Sequence, residues 1–297
     1  MEVISLRSAR DKIAGYVYML PALVMVTGLL TIPMLYNTYL SFFKWDGLKP
    51  MKYLGLENYL KFVNDRVFVQ SFINTLIWVA FTLVVVVTSA LLVAVFVKNV
   101  PGENFFKSVF FLPLAISYVS TGSIWIYMYG KEYGVINDLL SLMGVQTRTG
   151  WLYDFPLNTV SMLFASLWQG LGSNMVLYLM GLTSLPNEPL EAASIDGASG
   201  WQTFIHIIFP MLKPTHTIVV GMAIVNSFKT FDLIFVMTKG GPARTSETLA
   251  VTMYIETFSK LKMGYGAAIA VLLSLIILPV ATVYIRQMIY TDTIGYK

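Results

Sequence analysis

The 297-residue sequence contains no cysteine and only two histidines, His206 and His216. Without cysteine the chain can form neither a disulfide bond nor a thiolate metal site. Two histidines are too few for a plausible metal cluster, and we interpret both as helix residues near a membrane surface. The sequence therefore predicts no metal site.

Charged residues are also scarce. They make up 12% of the chain, whereas hydrophobic residues make up 56%. A soluble domain carries about 25% charged residues, so this composition indicates a membrane protein. The formal net charge of +4 suits a protein beside anionic lipid and gives no indication of nucleic-acid binding.

A phosphate-binding loop of the form Gly-x-x-x-x-Gly-Lys-Ser/Thr is missing as well. Lys131 follows Gly130, but the earlier glycine of that motif is not present. We therefore expect that the chain binds no cofactor and does not hydrolyse ATP by itself. A membrane-embedded enzyme is a weak alternative, because no pair of nucleophile and base stands out.

Long apolar runs predict six membrane-spanning helices, since a helix needs about twenty residues to cross a bilayer. The predicted spans lie within residues 13–43, 67–97, 105–130, 156–181, 214–238 and 263–285. The first run is too long for a signal peptide. We thus predict an all-α integral membrane protein. Residues 1–66 would form the first span and an outer loop, 67–290 a core of five spans, and 291–297 a tail.

Six spans place both termini on one side of the membrane. That side is predicted to be the cytoplasm, because the basic residues before the first span usually set the orientation. The basic residues assigned to this side are Arg7, Arg10, Lys12, Lys98, Lys107, Lys213, Arg286 and Lys297. The opposite loops contain more basic residues in total, including Lys44, Lys49, Lys52, Lys61 and Arg66. A bare count of lysine and arginine therefore does not support the orientation.

A polar segment between the fourth and fifth predicted spans has the most informative pattern. Asn187 or Glu188 can cap a short helix, and Gly197 allows a tight turn after it. Ser199 and Gln202 have the spacing of a capping box for a second helix. The apolar stripe predicted for this second helix comprises Trp201, Phe204, Ile205 and Ile208. The segment is thus predicted to form helix, turn and helix at the membrane surface.

This segment, residues 187–210, resembles the EAA loop of ABC importer permeases, whose pattern is Glu-Ala-Ala, three residues, Gly, nine residues, Ile-x-Leu-Pro. The matching residues are Glu191, Ala192, Ala193, Gly197, Ile207 and Pro210, with Phe209 in place of the usual leucine. The resemblance implies a MetI-like permease fold with a cytoplasmic coupling helix that docks in a cleft of a separate ATPase. Glu191 and Asp196 would offer charge-assisted bonds there. The simpler alternative for Glu191 is a solvated carboxylate at a helix start.

Further motifs extend the resemblance over nearly the whole chain. They are Gly55-Leu56-Glu57-Asn58-Tyr59, Asn74-Thr75, Trp168-Gln169, Gly181-Leu182, Ser194-Ile195-Asp196-Gly197-Ala198, Phe231-Asp232-Leu233 and Thr238-Lys239-Gly240-Gly241-Pro242. They are similar to the first permease subunit of maltose, lactose and glycerol-phosphate importers. The resemblance implies a second related permease, two ATPase subunits that bind ATP and Mg²⁺, and an extracytoplasmic substrate-binding protein. It also implies alternating access in the inner membrane of a bacterial or archaeal cell.

Two charges interrupt the fifth predicted span. Lys229 and Asp232 would each cost about 3 kcal/mol against lipid, so we expect them to face a neighbour or a wet cavity. They are three residues apart and can pair with each other. Alternatively, they line a substrate path together with Asn226 and Thr230. The resemblance favours the path slightly, because the family carries polar residues for sugar in this stretch.

Asn174 and Gln169 of the fourth span are weaker candidates for the substrate path, with Trp168 beside them and Asn74 on the second span. An aromatic face and a few amide donors suit sugar recognition, but amides also join helices within membranes. Four aromatic residues, Tyr127, Tyr129, Trp151 and Tyr153, are predicted to form an interfacial belt. The sixth span has a small-residue face for packing: Gly264, Gly266, Ala267, Ala268 and Ala270.

The predicted function is therefore the transmembrane permease subunit of an ATP-driven importer of sugars or oligosaccharides. An ion-coupled secondary transporter that uses Lys229 and Asp232 as a relay is the main alternative, although it leaves the EAA pattern unexplained. Within the family, a polyol, a phosphorylated compound or an acidic substrate also stays open because of Lys229.

Overall fold

A computed structural model describes residues 9–98, 100–145 and 148–294, with side chains described from residue 15 to residue 286 of these ranges. The side chains of Arg7, Arg10 and Lys12 and the end of the predicted tail, including Lys297, lie outside this description. The regular secondary structure of the described residues is helical apart from one small hairpin. The all-α prediction therefore holds for the membrane part.

Within the described residues, the first half of the chain forms nine α-helices and a hairpin of two short strands. They are α1 (Ala9–Val26), α2 (Ile32–Leu40), β1 (Phe43–Lys44), β2 (Lys52–Tyr53), α3 (Glu57–Asn64), α4 (Arg66–Phe81), α5 (Thr88–Val97), α6 (Glu103–Phe111), α7 (Tyr118–Met128), α8 (Val135–Leu142) and α9 (Leu157–Thr183). Wider π-helical turns, Thr27–Thr31 and Thr82–Val87, join α1 to α2 and α4 to α5, so each pair forms one long helix.

The second half begins with the EAA segment. Its helices are α10 (Glu188–Ile195), α11 (Gly200–Thr203), α12 (Phe209–Met211), α13 (Lys213–Phe228), α14 (Asp232–Thr238), α15 (Leu249–Tyr254) and α16 (Met263–Ile294). The final helix is longer than the span predicted for 263–285 and extends into the region predicted as a tail.

Three helical stretches are long and apolar enough to cross a membrane: Gly15–Leu40, Arg66–Val97 and Met263–Arg286. Two further stretches qualify only as bent pairs. Glu103–Ala115 and Tyr118–Met128 meet at 99°, and Gly200–Met211 and Lys213–Phe228 meet at 70°. The described residues thus provide three spans, or five if each bent pair is one span, and the number six stays a prediction. The helix within 156–181 is present as α9, which is about 40 Å long.

The crossings predicted within 105–130 and 214–238 are both interrupted. In the first, Pro113 lies in a 3₁₀ turn, and the Ser117 side chain then caps the start of α7 by accepting a bond from the Ser120 N–H. In the second, α13 ends at Phe228 and α14 begins at Asp232. Local breaks of this kind leave polar backbone groups exposed, which is tolerated at membrane depth where they line a cavity.

One end of the bundle carries the EAA segment and is termed the EAA end. Lys98, which follows α5, donates a hydrogen bond of 2.6 Å from Nζ to the carbonyl of Leu182 near the end of α9. This bond places the end of the Arg66–Val97 helix beside the start of residues 187–210. The prediction that Lys98 lies on the same side as the EAA loop is therefore supported by the fold.

The opposite end is termed the distal end. Asn74 of α4 donates to the carbonyls of Thr245 (2.7 Å) and Glu247 (2.8 Å), and Asn158 of α9 donates to the Gly241 carbonyl at 3.1 Å. These bonds hold the segment between α14 and α15 against two other helices. Asn74 thus joins parts of the chain, as the interpretation of membrane amides as helix contacts expects.

The small residues of α16 pack closely, as predicted. A Cβ atom on Gly264 would overlap the carbonyl of Phe43, and one on Gly266 would overlap the Thr257 side chain. Ala268 is fully buried. The predicted aromatic belt is only partly correct. Tyr127 and Tyr153 are exposed, but Tyr129 is buried in the core because its hydroxyl donates to the Ser161 carbonyl.

Candidate functional site

The EAA segment folds as helix, turn and helix. Gly197 adopts φ = 74°, a backbone conformation that favours glycine. The capping box is present: Ser199 Oγ accepts from the Gln202 N–H, and Gln202 Oε1 accepts from the Ser199 N–H at 2.8 Å. Asn187 occupies the N-cap position of α10, but its side chain makes no capping bond.

The residues predicted to couple the EAA segment to an ATPase are exposed, except for Ala193. Glu191, Ala192, Asp196 and Pro210 are exposed, as a docking role requires. Ala193 is only 5% exposed, because it faces the chain itself. The Ala193 side chain therefore offers almost no surface that a docking partner could contact.

Ile195 is the residue of this segment that sequence reasoning missed. Its side chain is 87% exposed, although it is apolar. Ile195 lies four residues after Glu191 and three after Ala192, so the three side chains share one face of α10. This helical spacing could have predicted that Ile195 lies on the same face as Glu191.

The apolar stripe predicted for the second helix is divided. Phe204 and Ile208 pack against the core, whereas Trp201 and Ile205 are exposed. Residues Phe204–Ile208 form a π-helical turn, which changes the spacing at which side chains share a face. The simple period of 3.6 residues therefore fails here.

The EAA segment joins α9 to α13, and the two helices contact each other directly beside it. His216 of α13 lies 3.1 Å (Nδ1) from the Tyr178 hydroxyl of α9, and its Nε2 lies 3.2 Å from the Phe209 carbonyl. A Cβ atom on Gly181 would overlap the Thr215 side chain. These contacts brace the 70° bend that links the EAA segment to α13. His216 lies in a helix, as predicted, and its ring also joins α13 to α9.

A cavity of about 310 Å³ lies between α4, α7, α9 and the break after α13. Five of the six residues predicted for the substrate path line it: Asn174, Asn226, Lys229, Thr230 and Asp232. They come from α9 and from both sides of the break, so the fold brings together residues that are up to 58 positions apart in the sequence.

Lys229 and Asp232 both line the cavity, but no ion pair joins them. The possibility that they pair rested on a continuous helix, in which residues three apart are neighbours. The helix stops at Phe228, and Phe231 has φ = −132° and ψ = −60°, which are not helical angles. The two charges therefore lie on opposite sides of a break.

Gln169 does not line the cavity. It is 2% exposed, and its Nε2 donates to the Ile116 carbonyl at 2.8 Å, which fixes the segment before α7 against α9. Trp168 packs against Trp125, with ring centroids 6.1 Å apart. For both residues the geometry favours the alternative role of joining helices.

Several cavity residues were not found from the sequence. They are Trp78, Tyr118, Ser166, Ser173, Ser227 and Phe231. The indole N–H of Trp78 is buried and has no hydrogen-bond partner among the described residues. Trp78 lies one helical turn after Asn74, and this spacing was the only sequence feature that could have indicated that Trp78 faces the interior.

A buried ion-pair network at the distal end was also missed. Arg244 contacts both Glu247 and Glu256, and Lys260 pairs with Glu256 at 2.9 Å. Burial raises the pKa of Glu256, but hydrogen bonds from Lys260 and Arg244 more than offset this and leave the pKa below its ordinary value. The carboxylate of Glu256 is thus stabilised in its charged form, and its ion pairs join Arg244 to Lys260 across the distal segment.

This distal segment is connected to the cavity. The Thr248 hydroxyl donates to the Thr230 carbonyl at 2.8 Å, within the break that separates Lys229 from Asp232. A displacement of the distal segment would therefore act directly on the cavity wall.

Comparisons with known proteins show which family of membrane proteins this chain resembles. The family model described as "Binding-protein-dependent transport system inner membrane component" matches residues 66–289. A probable ABC transporter permease protein of Pyrococcus horikoshii is 36% identical over 276 residues, covering 90% of this chain and 93% of the relative. A multiple sugar-binding transport system permease protein of Streptococcus mutans is 29% identical and covers 95% of this chain and 97% of its own length.

A solved structure has the same fold. It is a bacterial alginate ABC transporter in complex with an alginate pentasaccharide-bound periplasmic protein. The matched chain gives a TM-score of 0.82 at 19% sequence identity and covers 95% of this chain and 96% of its own length. This likeness establishes the fold.

Proposed function

Because the chain belongs to the family of binding-protein-dependent transport system inner membrane components, and is thus a permease subunit of an ABC importer, we propose that its cargo is a sugar or an oligosaccharide. The observation that carries the proposal is the cavity beside the break after α13. The cavity lies between α9 and α13, the two helices that the EAA segment joins, and a transported molecule would pass through it.

The lining of the cavity suits a polyhydroxy compound. Trp78, Tyr118 and Phe231 provide aromatic faces, while Asn174 and Asn226 provide amides. Sugar recognition uses an apolar stacking face with a small number of placed hydrogen bonds. The Streptococcus mutans relative, named as a sugar permease, supports the same substrate class.

The charges of the cavity favour a neutral sugar over an acidic one. One ammonium group, Lys229, and one carboxylate, Asp232, line the same space without pairing. An acidic or phosphorylated cargo would gain from Lys229 but would be repelled by Asp232. A neutral polyhydroxy compound can accept a bond from the first and donate one to the second.

The transport cycle uses partners that this chain does not contain. A second, related permease completes the path, and two ATPase subunits bind ATP and Mg²⁺ at the cytoplasmic side. An extracytoplasmic binding protein delivers the cargo to the distal end. Both termini lie in the cytoplasm, and the complex resides in the inner membrane of a bacterial or archaeal cell. Residues 67–290 form the permease core, and residues 1–66 add the peripheral first span.

The EAA segment transmits the movement of the ATPase. The exposed residues Glu191, Ala192 and Asp196 dock in its cleft, and Gly197 forms the turn. Pro210 lies in α12, just before the bend to α13. Because the segment joins α9 directly to α13, a displacement of α10 moves two cavity walls against each other. Alternating access follows from this movement, and no ion relay through Lys229 and Asp232 is needed.

The test uses two variants with matched controls. Glu191→Ala and Gly197→Asp are expected to lower ATPase co-purification or ATP-driven uptake by about tenfold or more, since both change the exposed docking surface. Glu132→Ala removes an exposed carboxylate at the distal end outside both cavities, and Gly144→Asp changes an exposed glycine with φ = 86° and open space around it. Both controls should behave as the unchanged chain.

The measurement compares ATPase binding and turnover in lipid, with the ABC subunits encoded beside this chain co-expressed. If Glu191→Ala and Gly197→Asp leave binding, turnover and uptake unchanged, the docking role of the EAA segment is wrong.

A further inference from the structure

A second cavity of about 630 Å³ opens at the distal end and shares no lining residue with the first. Its walls are the hairpin, α3 and the start of α16. Five lysines line it: Lys44, Lys49, Lys52, Lys61 and Lys262. We term this cavity the distal basin. Its lining residues Trp45 and Pro50 add apolar surface beside the ammonium groups.

Three of the five lysines have no ion-pair partner within the described part of the chain. Lys61 pairs with Glu57 at 3.4 Å, and Lys262 pairs with Glu256 at 3.4 Å. No such pair involves Lys44, Lys49 or Lys52, whose side chains are exposed. The hairpin therefore presents unpaired positive charge.

The two carboxylates of the basin are already engaged. Asp46 accepts from the backbone N–H groups of Lys49 (2.8 Å) and Leu48 (3.0 Å), which hold its pKa below the ordinary value. Asp65 caps α4 and accepts a bond of 2.8 Å from the Tyr265 hydroxyl. Both serve local structure, and two carboxylates do not balance the three unpaired ammonium groups of Lys44, Lys49 and Lys52.

The strand pairing brings like charges together. In the register of the hairpin, Lys44 lies directly opposite Lys52. Like charges directly opposite each other on an antiparallel pair are destabilising. The hairpin cannot relax this repulsion by moving away, because Asn58 donates to the carbonyls of Ser41 (2.8 Å) and Phe43 (3.0 Å). An anionic partner would relieve the repulsion.

The same lysines explain an anomaly of the sequence. Basic residues normally accumulate on the cytoplasmic side, yet Lys44, Lys49 and Lys52 belong to the end opposite the EAA segment. Their position is unfavourable for topology and for strand pairing. Binding of an anionic partner by these lysines would offset both the unfavourable topology and the repulsion between the paired strands.

We propose that the distal basin is a docking site for an acidic surface patch of the extracytoplasmic binding protein. The inference rests on the proposed function, in which that protein meets the distal end. Apolar and aromatic surface beside polar groups is common at protein interfaces, and a solved transporter of this fold holds a periplasmic protein. Charge complementarity assigns carboxylates to the partner's side of the contact.

The first experiment measures affinity between the assembled transporter in nanodiscs and the binding protein encoded beside it. The double variant Lys49→Gln/Lys52→Gln is expected to raise Kd about tenfold at low salt and to flatten its salt dependence. Charge reversal at both positions should raise Kd further. The control variant Lys131→Gln/Lys239→Gln removes two exposed distal lysines outside the basin and should change Kd less than about threefold.

The second experiment locates the contact. A carbodiimide joins lysine amines to carboxylates that touch them, so cross-links are expected from Lys44, Lys49 or Lys52 to aspartate or glutamate of the binding protein. Each measurement is made in neutral lipid and in membranes with anionic lipid. An effect of the lysine variants that appears only with anionic lipid would assign the basin to lipid headgroups and overturn the proposal.

The outcomes separate this inference from the proposed function. If the binding protein stimulates ATP hydrolysis equally in all variants with unchanged Kd, the basin is not its docking site, while the importer function stands. If the binding protein does not bind the unchanged transporter at all, both conclusions are overturned.

Discussion

At the scale of single residues, Lys229 shows how a break in a helix leaves a charge unpaired on a cavity wall. In a continuous helix its ammonium group could reach Asp232 and neutralise it. The interruption after Phe228 instead leaves both groups on the cavity wall without an ion pair. A charge kept unpaired in a membrane protein is costly, and such residues mark substrate pathways.

Replacing Lys229 by glutamine should weaken cargo binding. A hydrogen bond to a charged group contributes about 1.5–3 kcal/mol, so the KM of uptake should rise roughly tenfold or more. The measurement is uptake kinetics in proteoliposomes. Lys239→Gln, an exposed lysine outside the cavity, is the control and should keep the KM of the unchanged chain. An unaltered KM in Lys229→Gln would remove this residue from the path.

At the scale of elements, the pair α9 and α13 forms the connection between the EAA end and the cavity. Asn174 lies on α9 and Asn226 on α13, so each helix carries one amide to the cavity. The bond between Tyr178 and His216 fixes the two helices to each other near the EAA segment. Rigid elements joined in this way can transmit a displacement over the length of a helix.

Removing the Tyr178 hydroxyl should lower the number of cargo molecules imported per ATP. Tyr178→Phe deletes a hydrogen bond that contributes about 1 kcal/mol, so a loss of coupling of roughly fivefold is expected with ATP hydrolysis retained. The measurement is uptake and ATP hydrolysis in the same vesicles.

The double variant Tyr178→Phe/His216→Phe should be no worse than His216→Phe alone, because both changes remove the same bond. Tyr127→Phe, which changes an exposed tyrosine of α7, is the control. Additive losses in the double variant would show that the two residues act separately.

At the scale of the whole molecule, the two ends have different chemistry. The EAA end presents the short helices of residues 187–210, whereas the distal end presents the hairpin, the ion-pair network of Arg244 and the basin lysines. Among the described residues, the first span packs on the rest of the chain mainly near its distal end, where α2 contacts α16, and its other side chains are largely exposed. Those apolar side chains require lipid or the second permease as a neighbour.

The absence of cysteine allows a direct test of orientation. In Tyr133→Cys the thiol lies at the distal end and should react with a membrane-impermeant maleimide in intact cells. In Asn104→Cys the thiol lies at the EAA end and should react only after permeabilisation. Both positions are exposed, and the unchanged chain provides a label-free control. The reverse pattern would invert the proposed topology.

The sequence by itself determined the features that depend on local interactions. Composition indicated a membrane protein, and the spacing around Gly197 predicted a turn that the structure has. The Ser199–Gln202 box was also correct, because its two hydrogen bonds join residues only three positions apart.

Only the tertiary structure decided the features that depend on distant contacts. Asn74 donates hydrogen bonds to carbonyls more than 170 positions away. Tyr129 is buried where its hydroxyl donates to the Ser161 carbonyl. Gln169 lies outside the cavity, because its side chain donates to the Ile116 carbonyl. The break after Ala115 lies in apolar surroundings and has no polar signal in the sequence. The break after Phe228 is marked by Lys229 and Asp232, but the same two charges could also stand in a continuous helix. The cavity exists because these contacts hold broken helices in place, and a linear pattern contains no information on which broken ends will meet.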